Sequence, residues 1–154
     1  SGDGSLLIDL SGVTGTDTSG STIFKRGIWA KNTLTNSATL TTKGTNKAGI
    51  VSEGAMTNSG TITAEDTTCG VFTSDKKPVT NNSGTIVGKA TEGYRGVRVG
   101  KDLTVTAGSV TGISGGKEGH IVGVVTDNDG DSCGVFVKGN IKVASYKNSS
   151  SSCI

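Results

Sequence analysis

Apolar residues occur along this chain singly or in pairs, set among Thr, Ser, Gly and Asn, and the pattern returns at a fixed interval. Asn36-Ser37-Ala38-Thr39-Leu40 comes back as Asn58-Ser59-Gly60-Thr61-Ile62 and as Asn82-Ser83-Gly84-Thr85-Ile86. A weaker copy is Thr106-Ala107-Gly108-Ser109-Val110, and the successive offsets are 22, 24 and 24 residues. A second signature, Gly followed by Ile or Val, keeps step at Gly27-Ile28, Gly49-Ile50, Gly70-Val71, Gly96-Val97 and Gly123-Val124. Between the two lies a third apolar position: Leu34, Met56, Val79, Leu103 and Val135. Each repeat therefore holds three short segments alternating apolar and polar with period 2, the mark of strands with one face buried.

Segments this short, with no strong two-residue hairpin signal between them, are expected to pair with the equivalent segment of the next repeat. Repetition at this interval is the sequence mark of a solenoid. The expected fold is all-β: a three-sided parallel β-solenoid of about five to six rungs, each about 4.8 Å above the last. Ile28, Ile50, Val71, Val97 and Val124 are expected to stack in one interior column, and Leu40, Ile62, Ile86, Val110 and Ile141 in another. Asn36, Asn58 and Asn82 are expected at one corner, where amide side chains can hydrogen-bond along the stack. A β-sandwich also uses short alternating strands, but it does not require three signatures repeating in phase. One solenoid domain is expected over 1–154, with a capping rung at 1–24, repeats at 25–144 and a polar tail at 145–154 that frays from Asn148 to Ser152.

Composition sharpens this picture. The 154 residues are 32% hydrophobic and 4% aromatic, too few large side chains for a wide globular core but enough for a narrow one. The 25 glycines sit at regular places beside Ile, Val and Thr, as turns between strands require. The net charge of +2 comes from scattered Lys and Arg with no basic run, which argues against nucleic acid as a partner. No apolar run approaches the roughly 18 residues of a membrane helix. The opening Ser1-Gly2-Asp3-Gly4 is polar and shows no signal peptide, so a mature or excised chain is expected. Cys69, Cys133 and Cys153 are odd in number and have no zinc-site spacing; Cys69 and Cys133 are expected as small residues near the core, with one disulfide open if Cys153 folds back.

Asn-Ser-Gly-Thr-Ile followed some ten residues later by Gly-Ile or Gly-Val resembles the passenger repeats of bacterial autotransporter adhesins and toxins. The resemblance covers roughly residues 27–112. It implies a right-handed β-helix, secreted and displayed at the bacterial cell surface, often for adhesion, with a protein or glycan ligand or self-association. These residues include no counterpart of that family's membrane-anchoring barrel, so a fragment is expected, and three cysteines are more than such passengers usually carry. The family has no universal catalytic motif to transfer.

Chemistry-bearing constellations are few. Asp127, Asp129 and Asp131 alternate around Gly130, a pattern that can gather oxygens around calcium. The EF-hand register fails, because Gly130 comes two places early and no closing Glu follows. The stretch reads as a solvated turn with no metal or other cofactor. Glu53, Asp75 and Asp102 fall near corners rather than in a column, and lone His120 has no Ser or Asp arranged around it. An enzyme acting on polysaccharide, or a phage tail-spike fragment, is therefore the lesser reading. Arg95, Arg98 and Lys101 could hold an acidic sugar, but three charges around one turn read first as solvated. Thr39-Leu40-Thr41, Thr61-Ile62-Thr63, Thr85-Ile86-Val87 and Ser109-Val110-Thr111 place threonines in an array, which makes ice binding an alternative; exposed strand positions favour Thr in any case.

The sharpest signal is an outward column. With Ile28 and Val71 inside, the next residue of each rung points out, giving Trp29, Val51, Phe72, Arg98 and Val125. Four of these five are apolar, and the chain's only Trp is among them. An exposed apolar stripe of this kind marks a contact surface, unless a loop or a neighbouring segment covers it. The expected function is a non-catalytic, surface-displayed binding or structural module.

Overall fold

The computed structural model describes residues 4–15, 19, 25–46, 48–81, 83–91, 95–114, 117–121, 133–143, 146–148 and 152–153. Strand β1 (Ser5–Asp9) precedes the first turn of a coil, which runs β2 (Arg26–Ala30), β3 (Leu34–Asn36) and β4 (Thr39–Thr45). The second turn is β5 (Ala48–Ser52), β6 (Met56–Asn58) and β7 (Thr61–Asp66); the third is β8 (Cys69–Thr73), β9 (Val79–Asn81) and β10 (Thr85–Ala90). The fourth is β11 (Arg95–Val99), β12 (Leu103–Val105) and β13 (Ser109–Ser114), followed by β14 (Lys117–Ile121). A partial fifth turn holds β15 (Cys133–Val137) and β16 (Ile141–Val143), and β17 (Tyr146–Asn148) and β18 (Ser152–Cys153) end the series.

Strands β1 to β13, β15 and β16 pair in parallel with their equivalents one turn away. The result is three sheets: β1-β4-β7-β10-β13-β14, β18-β15-β11-β8-β5-β2 and β17-β16-β12-β9-β6-β3. The chain is a three-sided β-solenoid of about four turns, fewer than the five to six rungs the repeat count predicts. The difference arises at β14, which runs antiparallel to β13 and takes the place a fifth repeat strand would occupy. Ser114 pairs with Lys117, an antiparallel pairing that the repeat pattern does not predict. β17 and β18 also pair antiparallel, with β16 and β15. All three sheets thus end on an antiparallel strand at this end, and the stretch expected as a tail at 145–154 contributes two of them. Exposed parallel edges invite pairing with other chains, and these strands occupy those edges.

The core stacks at least one large apolar side chain per sheet per turn, with Val99, Val105 and Val137 adding second ones in the later turns. Ile28, Ile50, Val71, Val97 and Val135 lie in register on one sheet. The place expected for Val124 therefore belongs to Val135, and residues 122–132 lie outside those described. Leu34, Met56, Val79, Leu103 and Ile141 form the second column, so Ile141 belongs here and not with Leu40. Leu40, Ile62, Ile86 and Val110 form the third. From the second turn onward these side chains are almost wholly buried, whereas Ile28, Leu34 and Leu40 of the first turn are partly covered. Burying an aliphatic side chain of this size contributes roughly 1.5–3 kcal/mol.

Polar residues enter the interior at the corners. Asn36, Asn58 and Asn81 are in register and buried. Asn36 Nδ2 donates to Asn58 Oδ1 at 2.8 Å, and Asn58 Nδ2 donates to Asn81 Oδ1 at 3.0 Å. The ladder predicted from sequence exists, but its third member is Asn81 rather than Asn82. The third turn has one more residue than the second between this Asn and the following Thr, which shifts the place by one. At another corner Thr42, Ala64, Gly88 and Gly112 face the glycines at 49, 70, 96 and 134. A Cβ added at Gly88 would collide with the Gly96 carbonyl, and one added at Gly112 with that of Gly134. The two sheets meet here at backbone distance, and only glycine permits it.

Candidate functional site

The three outer faces differ in chemistry. On the sheet of β4, β7, β10 and β13, Thr39, Thr61, Thr85 and Ser109 form one outward column and Thr41, Thr63, Val87 and Thr111 the next. Lys43–Asp9 (3.0 Å) and Lys89–Glu65 (3.2 Å) join turns on the same face. The sheet of β3, β6, β9, β12 and β16 presents Thr35, Thr57, Thr80, Thr104 and Lys142 in register, a threonine column the sequence reading did not single out.

The third face carries arginine and aromatic side chains. In register along it run Trp29, Val51, Phe72, Arg98 and Phe136. Four of the five residues expected in the outward column are thus brought together. The fifth place belongs to Phe136, and Val125 lies outside the described residues. A legible signal pointed to Phe136: Cys133-Gly134-Val135-Phe136 repeats Cys69-Gly70-Val71-Phe72 residue for residue. Gly123, 27 residues after Gly96, lies nearer the repeat interval than Gly134, 38 residues after it, because β14 and residues 122–132 interrupt the period.

The column is not a bare apolar stripe. Val51 is only 4% exposed, lying between Trp29 and Phe72, whereas Trp29 is 41% exposed. Each ring carries a guanidinium. Arg26 lies 4.3 Å from the Trp29 ring, Arg98 4.7 Å from Phe72, and Arg95 4.0 Å from Phe136. Such contacts hold the cations against the sheet and keep the ring faces from open water.

Small residues in the second turn make this face concave. Ala48 and Val51 lie between the bulky Arg26 and Trp29 of the first turn and Phe72 and Arg95 of the later ones. The result is a groove of about 630 Å³ lined by Ala48, Val51 and Cys69, with Trp29 and Glu53 on one side and Phe72, Arg95 and Arg98 on the other. Thr68 and Ser74 add hydroxyls to its lining.

The polar groups around the groove are mostly engaged. Trp29 Nε1 donates to Glu53 Oε1 at 2.7 Å. Arg98 Nη1 donates to the Thr73 carbonyl at 3.2 Å, and its Nη2 meets Asp75 Oδ1 at 2.6 Å. Asp75 Oδ2 also accepts from Lys138 Nζ at 2.8 Å, bridging to the fifth turn. Hydrogen bonds from Lys138 and then Arg98 lower the Asp75 pKa to about 2. Buried Asp66 accepts from the Thr68 and Cys69 backbone amides at 2.7 and 3.1 Å and from the Thr45 hydroxyl. Arg95 is different: its Nε is buried with no hydrogen-bond partner. Lys101, grouped with the two arginines by sequence, is exposed and does not line the groove.

Cys69 is a free thiol whose Sγ donates to the Val71 carbonyl at 3.3 Å. Burial, reinforced by Asp66, pushes its pKa up to about 12, so it stays protonated at neutral pH and is a weak nucleophile there. Cys133 and Cys153 lie in β15 and β18. His120 lies in β14. Asp127, Asp129 and Asp131 lie outside the described residues. Among the described residues no three His, Cys, Asp or Glu side chains come together as a metal site, and no helix is long and apolar enough to cross a membrane. No protein-family model, curated protein or solved structure matches the chain. The chemistry of the grooved face is therefore what bears on function.

Proposed function

We propose that this chain is a non-catalytic binding module, secreted or displayed at a bacterial surface, that takes its ligand on the outer face of the β2-β5-β8-β11-β15 sheet. The carrying observation is the groove between Trp29 and Arg98, set in a face of arginine and aromatic side chains while the other two faces are coated with threonine and paired charges. Trp, Phe and Arg are the residue types that dominate binding hot spots. A concave, largely apolar site with a few polar groups is the usual form of a ligand pocket. The resemblance of the repeats to autotransporter passengers supports the extracellular setting and an adhesive role.

The test is the pair Trp29→Ser and Phe72→Ser, assayed on a glycan array and for binding to host epithelial cells. Both variants are expected to keep the wild-type circular dichroism spectrum and to lose binding. Trp29→Ser costs little stability because the ring is already two-fifths exposed. Full binding by both variants overturns the proposal.

A further inference from the structure

Resting on that reading, we propose that the groove binds a carboxylate-bearing sugar and that Arg95 is its anchoring cation. Among the described residues, every acid beside the groove already has a partner: Glu53 takes the Trp29 indole, Asp75 takes Arg98 and Lys138, and Asp66 takes Thr45, Thr68 and the Cys69 amide. Among the described residues no acid or other acceptor pairs with the Arg95 side chain. A guanidinium whose Nε is buried without an acceptor lacks part of the hydrogen bonding it has in water. Stacking on the Phe136 ring at 4.0 Å fixes its plane, and a planar guanidinium edge is suited to two parallel bonds to a carboxylate.

The rest of the groove fits a sugar ring. Ala48 and Val51 form an apolar floor against which the C–H face of a pyranose can lie, and the Trp29 edge walls one side. Thr68 and Ser74 offer hydroxyls to ring hydroxyls. The volume of about 630 Å³ falls within the roughly 300–1,000 Å³ of small-molecule sites. An acidic peptide is less well suited. β5 and β8 are paired on both sides, so this surface has no free strand edge on which a peptide could add its backbone.

Trp29 is the only tryptophan, so its fluorescence reports directly on the groove. The experiment titrates the protein with tetragalacturonate and with sialyllactose, following Trp29 emission and calorimetric heat. Lactose, methyl-esterified tetragalacturonate and tetraglutamate are the comparison ligands. Saturable binding is expected for at least one acidic sugar. Affinity is expected to fall at least tenfold for lactose or the methyl ester, and at least tenfold in Arg95→Gln at unchanged melting temperature. Arg95→Lys is expected to recover part of the loss. Three outcomes overturn the proposal: no binding of either acidic sugar, equal binding of lactose or tetraglutamate, or unchanged affinity in Arg95→Gln. If any of these occurs while Trp29→Ser still abolishes array or cell binding, the face remains the binding surface and only the assignment of an acidic sugar falls.

Discussion

Asn58 is the middle member of the interior asparagine ladder, and its replacement by Ala exposes how much the corner contributes. Its side chain is wholly buried. It donates to the Gly60 carbonyl at 2.9 Å and to Asn81 Oδ1 at 3.0 Å, and accepts from Asn36 Nδ2 at 2.8 Å. At about 1 kcal/mol net per bond, these three contribute about 3 kcal/mol. The Gly60 carbonyl keeps the Thr85 amide and Asn36 keeps the Ala38 carbonyl, so neither is orphaned. Asn81 Oδ1 loses its partner in a fully buried position, which adds about 1 kcal/mol or more. The expected destabilisation is about 4 kcal/mol, read as a fall of roughly 1.3–4 M in the urea midpoint at unchanged slope, for the usual slope of about 1–3 kcal/mol/M. Replacing Asn36, Asn58 and Asn81 together by Val should cost less than the three single changes summed. No buried side-chain amide is left without its ladder partner, and the next place in register is already Val105. A loss under 1 kcal/mol for Asn58→Ala, or strict additivity of the three valines, would refute the reasoning.

Two further expectations follow from the same geometry. Gly96→Ala drives a Cβ into the Gly88 carbonyl and the Ile113 amide, so a loss of at least about 2 kcal/mol is expected, whereas Gly12→Ala, with nothing within 4 Å, should stay within about 0.5 kcal/mol in the same thermal melts. Asp75 is exposed and its pKa is depressed from 3.8 to about 2, so its bridge to Arg98 and Lys138 stabilises the fold above the ordinary carboxylate pKa and is lost as pH falls toward 2. Wild type should therefore exceed Asp75→Asn slightly in melting temperature at pH 6. That margin should shrink in 1 M salt and fall away as pH drops through 2; a margin undiminished below pH 2 contradicts the assignment.

Much of this architecture is written in local pattern. A strand one turn long buries every second residue, so the alternation around Ile62 and the return of Gly-Ile and Gly-Val identify strands and their stacking partners without coordinates. The outward place of Trp29, Val51, Phe72 and Arg98 follows from the same parity, because a strand that buries Ile50 must present Val51 on the other face. Repetition fails as a guide where the period breaks. Once β14 turns back on β13, counting one repeat on from Gly96 no longer reaches the next strand of that sheet, and Phe136 replaces Val125 in the column. A single extra residue in the third turn likewise puts Asn81, not Asn82, on the ladder.

What only the tertiary structure decided is the shape and charge state of the outer face. Sequence parity marks Val51 as outward, yet its neighbours above and below leave it 4% exposed and turn a stripe into a groove. Which arginine is paired depends on residues far apart in the chain: Asp75 joins Arg98 and Lys138 across 63 positions, while Arg95 stacks on Phe136 and meets no acid among the described residues. The alternation of a strand is a local property of the backbone, legible residue by residue. Pairing of charges and filling of space between turns depend on the distances that stacking imposes, and those exist only once the coil has closed.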